Sequence, residues 1–195
     1  EIASCLVGSE MCIRDRLLSA HHAEYEKVIV VTESIFSMDG DEADLNRLVR
    51  LKRQYDRVLL YVDEAHAVGV RGEHGLGCAE EQGCIGEIDF LCGTFGKALA
   101  SVGGYVVCSR TVHDYLVNKM RTLIFTTALP PVNLMWTYFI IERLAQFRDR
   151  RQHLQRLSFQ LKEGLLAAGY ECPSTSHIIP LTIGESGATV WKAEE

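Results

Sequence analysis

The chain has 195 residues, 47% of them hydrophobic and 24% charged, with a formal net charge of −6. This is the balance of a soluble globular chain, one domain or pieces of two. No apolar run approaches the roughly 18–20 residues that cross a bilayer, and the acidic total offers no basic patch for nucleic acid, so neither is an expected partner; an anionic small ligand stays compatible, because local donors can bind phosphate inside an acidic protein.

The first segment, "SCLVGSEMCIRDR" from Ser4 to Arg16, has no clear period. It lacks the basic start and apolar core of a secretory signal, and Glu1, Glu10 and Asp15 are wrong for an organelle presequence. Glu10 to Asp15 can be written in codons as GAG ATG TGT ATA AGA GAC, which looks like the transposon end of sequencing-library adapters, and Leu6 to Ser9 fit the adapter bases upstream in the same frame. Residues 1–16 are therefore expected to be non-native read-through and to pack poorly, although Glu1 to Ser4 have no assignment of their own. From Lys27 onward, strands and helices alternate. "KVIVVTES" is β-branched and apolar and predicts a buried strand. "SMDGDEAD" follows as a loop, with Asp44 as N-cap of a helix that carries Leu45, Leu48 and Val49 on one face. "RVLLYVDE" predicts a second buried strand, "AVGVRGEHGLG" a glycine-rich loop, "IDFLCGT" a third strand and "GGYVVCS" a fourth. Pro130 and Pro131 open a helix. A second helix carries Leu154, Leu157, Leu161 and Leu165 and ends at Gly169. "HIIPLTIG" begins another β unit, with Glu195 inside its following helix. Short apolar strands between helices predict an α/β fold with a mostly parallel sheet flanked by helices.

Seven cysteines could suggest a disulfide framework. Cys78, Cys84, Cys92, Cys108 and Cys172 are scattered without a C-x-x-C pair, and Cys92 and Cys108 lie in apolar, strand-like runs as expected buried thiols. A reducing, cytoplasmic compartment is expected.

Chemistry-bearing residues fall where strands end, the edge at which open α/β sheets bind ligands. Asp63 closes "LLYVD" with His66 three residues on, Lys97 follows the third strand in "GTFGKA", and Ser37 follows the first. An acid, a histidine and a lysine so placed suit pyridoxal phosphate: a lysine amine can join the cofactor aldehyde, and a carboxylate can keep the pyridine nitrogen protonated. Thr94 is placed to help hold the phosphate, and Gly93 and Gly96 would let the backbone pass close to a ligand. Structural readings stand beside these. Asp63 could be a strand-end turn residue, His66 a satisfied core or loop histidine, Lys97 an exposed loop lysine, and Ser37 and Thr94 turn caps; spacing alone leaves both sets open. Other motifs fit less well. "DEAH", Asp63 to His66, matches the magnesium box of one helicase class, but Leu91 and Ala98 stand where a phosphate loop needs Gly and Ser or Thr. "DGDEAD" lacks the spacing of a calcium loop. His66 and His74 have no cysteine partners at zinc spacing, so no metal is expected.

Taken together, "VTESIFSMDGDEADL", "YVDEAHAVGVRGEHGLG", "GTFGKALASVGGYVVCS" and "IFTTALPP" resemble the α-oxoamine synthases, pyridoxal 5'-phosphate enzymes of the aspartate-aminotransferase fold. The resemblance runs from about Leu17 to Glu195. It implies a partial large cofactor-binding domain over 17–145, then a connecting helix and the start of the small C-terminal domain over 146–195. Lys97 would be the Schiff-base lysine and the base that removes the amino-acid α-proton. Asp63 would pair with the pyridinium nitrogen, His66 and Ser37 would contact the phenolic-oxygen side, and Thr94 would bind the phosphate. Thr126 and Thr127 match a pair that reaches the phosphate of a neighbouring subunit's cofactor, implying a homodimer. The implied reaction is a decarboxylative condensation of L-alanine with a pimeloyl thioester on CoA or an acyl carrier protein; relatives that use glycine with other acyl-CoAs are the alternative. Phe95 leans toward the alanine-using branch, because those relatives often carry Leu there.

The resemblance covers the middle and the start of the end of the family pattern, so purified residues 1–195 are expected to yield no ketone product from amino acid and acyl thioester; measurable product would refute this. Sequencing the source DNA across Arg16–Leu17 should find adapter bases up to the junction, and a continuous native frame without them would sink the read-through assignment.

Overall fold

The computed structural model describes residues 11–181. Four strands form one sheet in the order β1-β2-β3-β4, with β1 at Val28–Glu33, β2 at Val58–Asp63, β3 at Phe90–Thr94 and β4 at Gly104–Cys108. The first three run parallel and β4 returns antiparallel to β3. Each strand lies where the sequence places one, and the mostly parallel sheet is the expected fold class. The helices are α1 (Met11–His21), α2 (Leu45–Lys52), α3 (Cys78–Glu81), α4 (Arg110–Lys119), α5 (Arg121–Ile124), α6 (Pro131–Arg143) and α7 (Arg148–Ala167).

Local chemistry sets these boundaries. The Asp44 carboxylate accepts from the Arg47 amide at 2.8 Å and opens α2. Leu45, Leu48 and Val49 then face Leu60, Val62 and Leu91 of the sheet in the main core. Pro131 occupies the first turn of α6, where its missing N–H costs nothing. A 3₁₀ turn at Leu144–Phe147 joins α6 to α7, and the division at 145/146 expected from the resemblance falls inside it. Gly169 ends α7 at φ +86°, a left-handed position that favours glycine.

Several expectations change. β1 buries one face only: Ile29 and Val31 are exposed, because α2 packs on the opposite side through the main core. Cys92 is buried as expected, whereas Cys108 on the edge strand β4 is half-buried. Leu157 and Leu161 of the α7 leucine series are exposed. The helices between β4 and Pro130 have no counterpart in the sequence reading. Before Leu17, the half-exposed Asp15 carboxylate pairs with Arg47 at 3.1 Å, and α1 runs on to a buried Leu18. Residues 177–181 form no strand, and the rest of the expected β unit and its helix lie outside the described residues. No helix among the described residues is long and apolar enough to cross a membrane.

The strand ends are tied by a side chain without a role in the sequence reading. Glu64 follows β2 and is fully buried. Its Oε2 accepts from the Ser34 hydroxyl at 2.6 Å and the Cys78 amide at 3.0 Å, and its Oε1 accepts from the Ala79 amide at 2.6 Å. One carboxylate therefore joins the segment after β1, the segment after β2 and the start of α3. Buried donors left without an acceptor cost about 1–3 kcal/mol each. Glu64→Ala should thus lower the unfolding free energy by roughly 3–5 kcal/mol in urea titration, and Ser34→Ala by about 1–2 kcal/mol.

Candidate active site

The three parallel strands end on one edge, and that edge carries the candidate residues. Glu33 and Asp63 are register partners at the ends of β1 and β2. Past β2 the chain turns at once: the Asp63 carboxylate accepts from the Ala65 amide at 2.7 Å, and the Ala67 and Val68 amides donate to the Glu64 carbonyl at 2.8 Å each. This turn brings His66 back over the sheet end. Past β3, the Ser101 amide donates to Phe95 O at 2.7 Å and the Phe95 amide to Gly103 O at 2.9 Å, closing a loop with Lys97 on its outer side. Ala100 completes that loop at φ +49°, an uncommon conformation for a residue with a Cβ.

The two loops meet at one contact, Lys97 Nζ to His66 Nε2 at 2.6 Å. Burial, and then the positive charge of Lys97, hold His66 below the usual imidazole range, opposed by Glu33 and Asp63. A neutral ring near pH 7 has a lone pair to accept a Lys97 proton, which places the ring's own proton on Nδ1. Thr94 ends β3, where its hydroxyl donates to Gly103 O at 3.2 Å and accepts from the Gly96 amide at 3.1 Å. Tyr105 on β4 lies across Gly93: a Cβ added there would sit 2.5 Å from the phenol oxygen, and burial pushes the phenol up to about 12. Gly93 thus makes room for Tyr105, whereas a Cβ at Gly96 would meet only ordinary contacts.

The structure brings His66 and Lys97 into contact and sets Asp63 and Thr94 on the ends of neighbouring strands. Ser37 stands exposed in the loop after β1 and shares no hydrogen bond with the other candidates among the described residues. That loop is anchored elsewhere, by the Arg71 guanidinium on Glu42 (Nη2 to Oε2, 3.0 Å) and on Glu81 (Nε to Oε2, 2.8 Å). Thr126 and Thr127 lie exposed between α5 and α6, and the Thr126 hydroxyl donates to Thr127 O at 3.4 Å. Glu64 and Tyr105 are the residues that sequence reasoning missed. Glu64 had a visible signal, an acid beside Asp63 at a strand end, but its donors come from distant segments. Its burial against three donors also removes it as a metal-binding acid of a helicase box.

The aminotransferase class I and II family profile matches residues 13–194, and the chain belongs to that family. A relative from Glaesserella parasuis serovar 5, provisionally named 8-amino-7-oxononanoate synthase, is 55% identical over 181 residues, covering 92% of this chain and 48% of its own length. One from Pasteurella multocida with the same provisional name is 52% identical over 92% of this chain and 47% of its own. The chain thus spans about half the length of the curated relatives it matches. Among solved structures, Sphingomonas wittichii serine palmitoyltransferase superposes with a TM-score of 0.83 at 33% identity, over 90% of this chain and 44% of that one. The 8-amino-7-oxononanoate synthase of Francisella tularensis gives 0.71 at 25% identity, over 92% and 55%. The resemblance to α-oxoamine synthases is borne out, and nothing in these comparisons points to a helicase.

The His66–Lys97 contact has a measurable signature. In isotope-edited NMR, the His66 ring should titrate below the ordinary imidazole range. Lys97→Ala should move that midpoint up, because a neighbouring positive charge is gone, but not to the ordinary value, because burial is the larger cause and remains.

Proposed function

We propose that this chain carries the cofactor-binding centre of an α-oxoamine synthase of the 8-amino-7-oxononanoate type. The full protein would be a pyridoxal-phosphate-dependent acyltransferase that condenses L-alanine with pimeloyl-CoA or a pimeloyl carrier protein, releasing carbon dioxide and the free thiol. The observation that carries this reading is the Lys97–His66 contact at the sheet edge where Asp63 ends β2.

The donor set fits the cofactor. Lys97 Nζ is exposed and able to attach the aldehyde carbon, Asp63 is the carboxylate for the ring nitrogen, and His66 and Ser37 are the groups for the ring oxygen. Thr94 would bind the phosphate, and Thr126 and Thr127 would reach the phosphate held by a second copy, in a homodimer of the cytoplasm. When bound, pyridoxal phosphate supplies an electron sink for the charge left on the amino acid's α-carbon. The chain's own residues handle the protons. His66 Nε2 already accepts from Lys97 Nζ, so it orients the amine and can take a proton from it, leaving the nitrogen lone pair free for attack. With the cofactor bound, Lys97 would be the base for the α-proton and Asp63 would be the carboxylate facing the ring nitrogen.

A second reading is another member of the same family, such as glycine C-acetyltransferase or 5-aminolevulinate synthase; it stays compatible with the superposition on serine palmitoyltransferase, whose TM-score of 0.83 exceeds the 0.71 for the Francisella tularensis 8-amino-7-oxononanoate synthase. Phe95 and the identities of 55% and 52% favour the alanine-using branch.

Borohydride reduction of the full-length protein loaded with pyridoxal phosphate should fix the label on the peptide containing Lys97 and abolish labelling in Lys97→Ala. A label on another lysine would overturn the assignment. Among L-alanine, glycine and L-serine, L-alanine should be the amino acid that perturbs the cofactor's visible absorption at the lowest concentration; glycine in that place would move the protein to the second reading.

A further inference from the structure

Arg151, in the first turns of α7, is only 5% exposed, yet its hydrogen bonds among the described residues all go to backbone carbonyls. Nη1 donates to Leu144 O at 2.7 Å, and Nη2 donates to Ala145 O at 3.5 Å and to Glu73 O. Burying a guanidinium without a carboxylate against it costs several kcal/mol, and an apolar side chain of similar volume would fill the space at lower cost. Burial depresses its pKa from the usual arginine value, opposed by the Glu80 charge, which acts on it without a hydrogen bond, and aided by Arg148. What the guanidinium provides is geometry: a planar fork that fixes three carbonyls from two segments at once.

Those segments lead to the site. Glu73 belongs to the glycine-rich loop that follows His66. In that loop Gly75 sits at φ +84°, and a Cβ there would meet Arg151 Nη1 and Leu144 Cγ at 3.0 Å each. The Gly75 carbonyl accepts from the Gly69 amide at 2.7 Å, and a Cβ on Gly69 would lie 3.0 Å from the Ala98 methyl, next to Lys97. The second segment is the 3₁₀ turn. Leu144, whose carbonyl Arg151 holds, packs in one cluster with Val68 and Leu99, each two residues from a member of the His66–Lys97 pair. Both routes from Arg151 lead to that pair: the first to Ala98 beside Lys97, the second to Val68 and Leu99, two residues from His66 and Lys97.

We infer that Arg151 is a positioning residue: by clamping the glycine-rich loop and the α6–α7 turn, it sets the distance between His66 and Lys97 and couples α7 to the candidate site. Arg151 touches neither His66 nor Lys97 and acts only through the segments it holds. The inference deepens the proposed function, which gives that pair its purpose, but it concerns side-chain geometry in the chain itself.

The test needs no cofactor, so its failure is distinct from failure of the borohydride labelling. Arg151→Lys keeps the charge and loses the fork, and Arg151→Met loses both. Circular dichroism and urea titration establish which variants fold, and NMR then follows the His66 ring through its titration. In a folded variant the His66 midpoint should move up toward that of Lys97→Ala, less in Arg151→Lys than in Arg151→Met, as the lysine draws away. A midpoint identical to the parent chain's in a folded variant overturns the inference. Unfolding of both variants also overturns it, in favour of a purely structural arginine.

Discussion

A single buried carboxylate holds the end of the sheet together. Glu64 sits without solvent contact where β2 ends, and the groups around it are all donors: the Ser34 hydroxyl and the Cys78 and Ala79 amides. Burial holds its pKa above the usual carboxylate range, with the Asp63 charge adding to this and the three hydrogen bonds opposing it. The two amides can only donate to it, whereas the Ser34 hydroxyl can rotate to donate or accept. The interaction spans segments far apart in the chain, so it forms only when the strand ends are already in register. Asp63 on one side of Glu64 and His66 two residues beyond it inherit their positions from that anchor.

The glycines of the loop after His66 follow from the same constraint. Gly77 stands at φ +109°, and a Cβ there would come within 2.6 Å of the Glu64 carboxyl carbon. Glycine is required because a buried side chain needs the space, not because a phosphate does. Gly93 repeats the logic on β3, where the Tyr105 ring occupies the volume above the backbone. Within this compact loop packing His66 and Lys97 meet across the sheet edge.

Helix α7 spans the other side of this arrangement. At its start Arg151 holds the glycine-rich loop; farther along, Lys162 donates to Ser174 O. The Ser174 hydroxyl in turn donates to Gly40 O at 3.3 Å, in the loop that carries Ser37. One helix therefore contacts the loop behind His66 directly and the loop of Ser37 only through Ser174. These hydrogen bonds hold the two loops in place.

The four strands, α2 with its Asp44 cap and the leucine-bearing α7 were legible in the sequence, because their signals are local: β-branched runs, a capping carboxylate, a helical period. Asp63, His66, Lys97 and Thr94 were legible as a set, because parallel strands place all their C-terminal ends on one edge. The order of the strands, the antiparallel return of β4 and the exposed face of β1 depend on which segments pair, and periodicity does not encode pairing. Glu64 read as a spare acid beside Asp63 until Ser34, Cys78 and Ala79 gathered around it, and Arg151 read as one of several arginines in a charged helix. The sequence by itself determined the chemistry available and the edge on which it stands. Only the tertiary structure decided which of those groups touch, because a buried hydrogen bond draws its partners from segments that folding alone brings together.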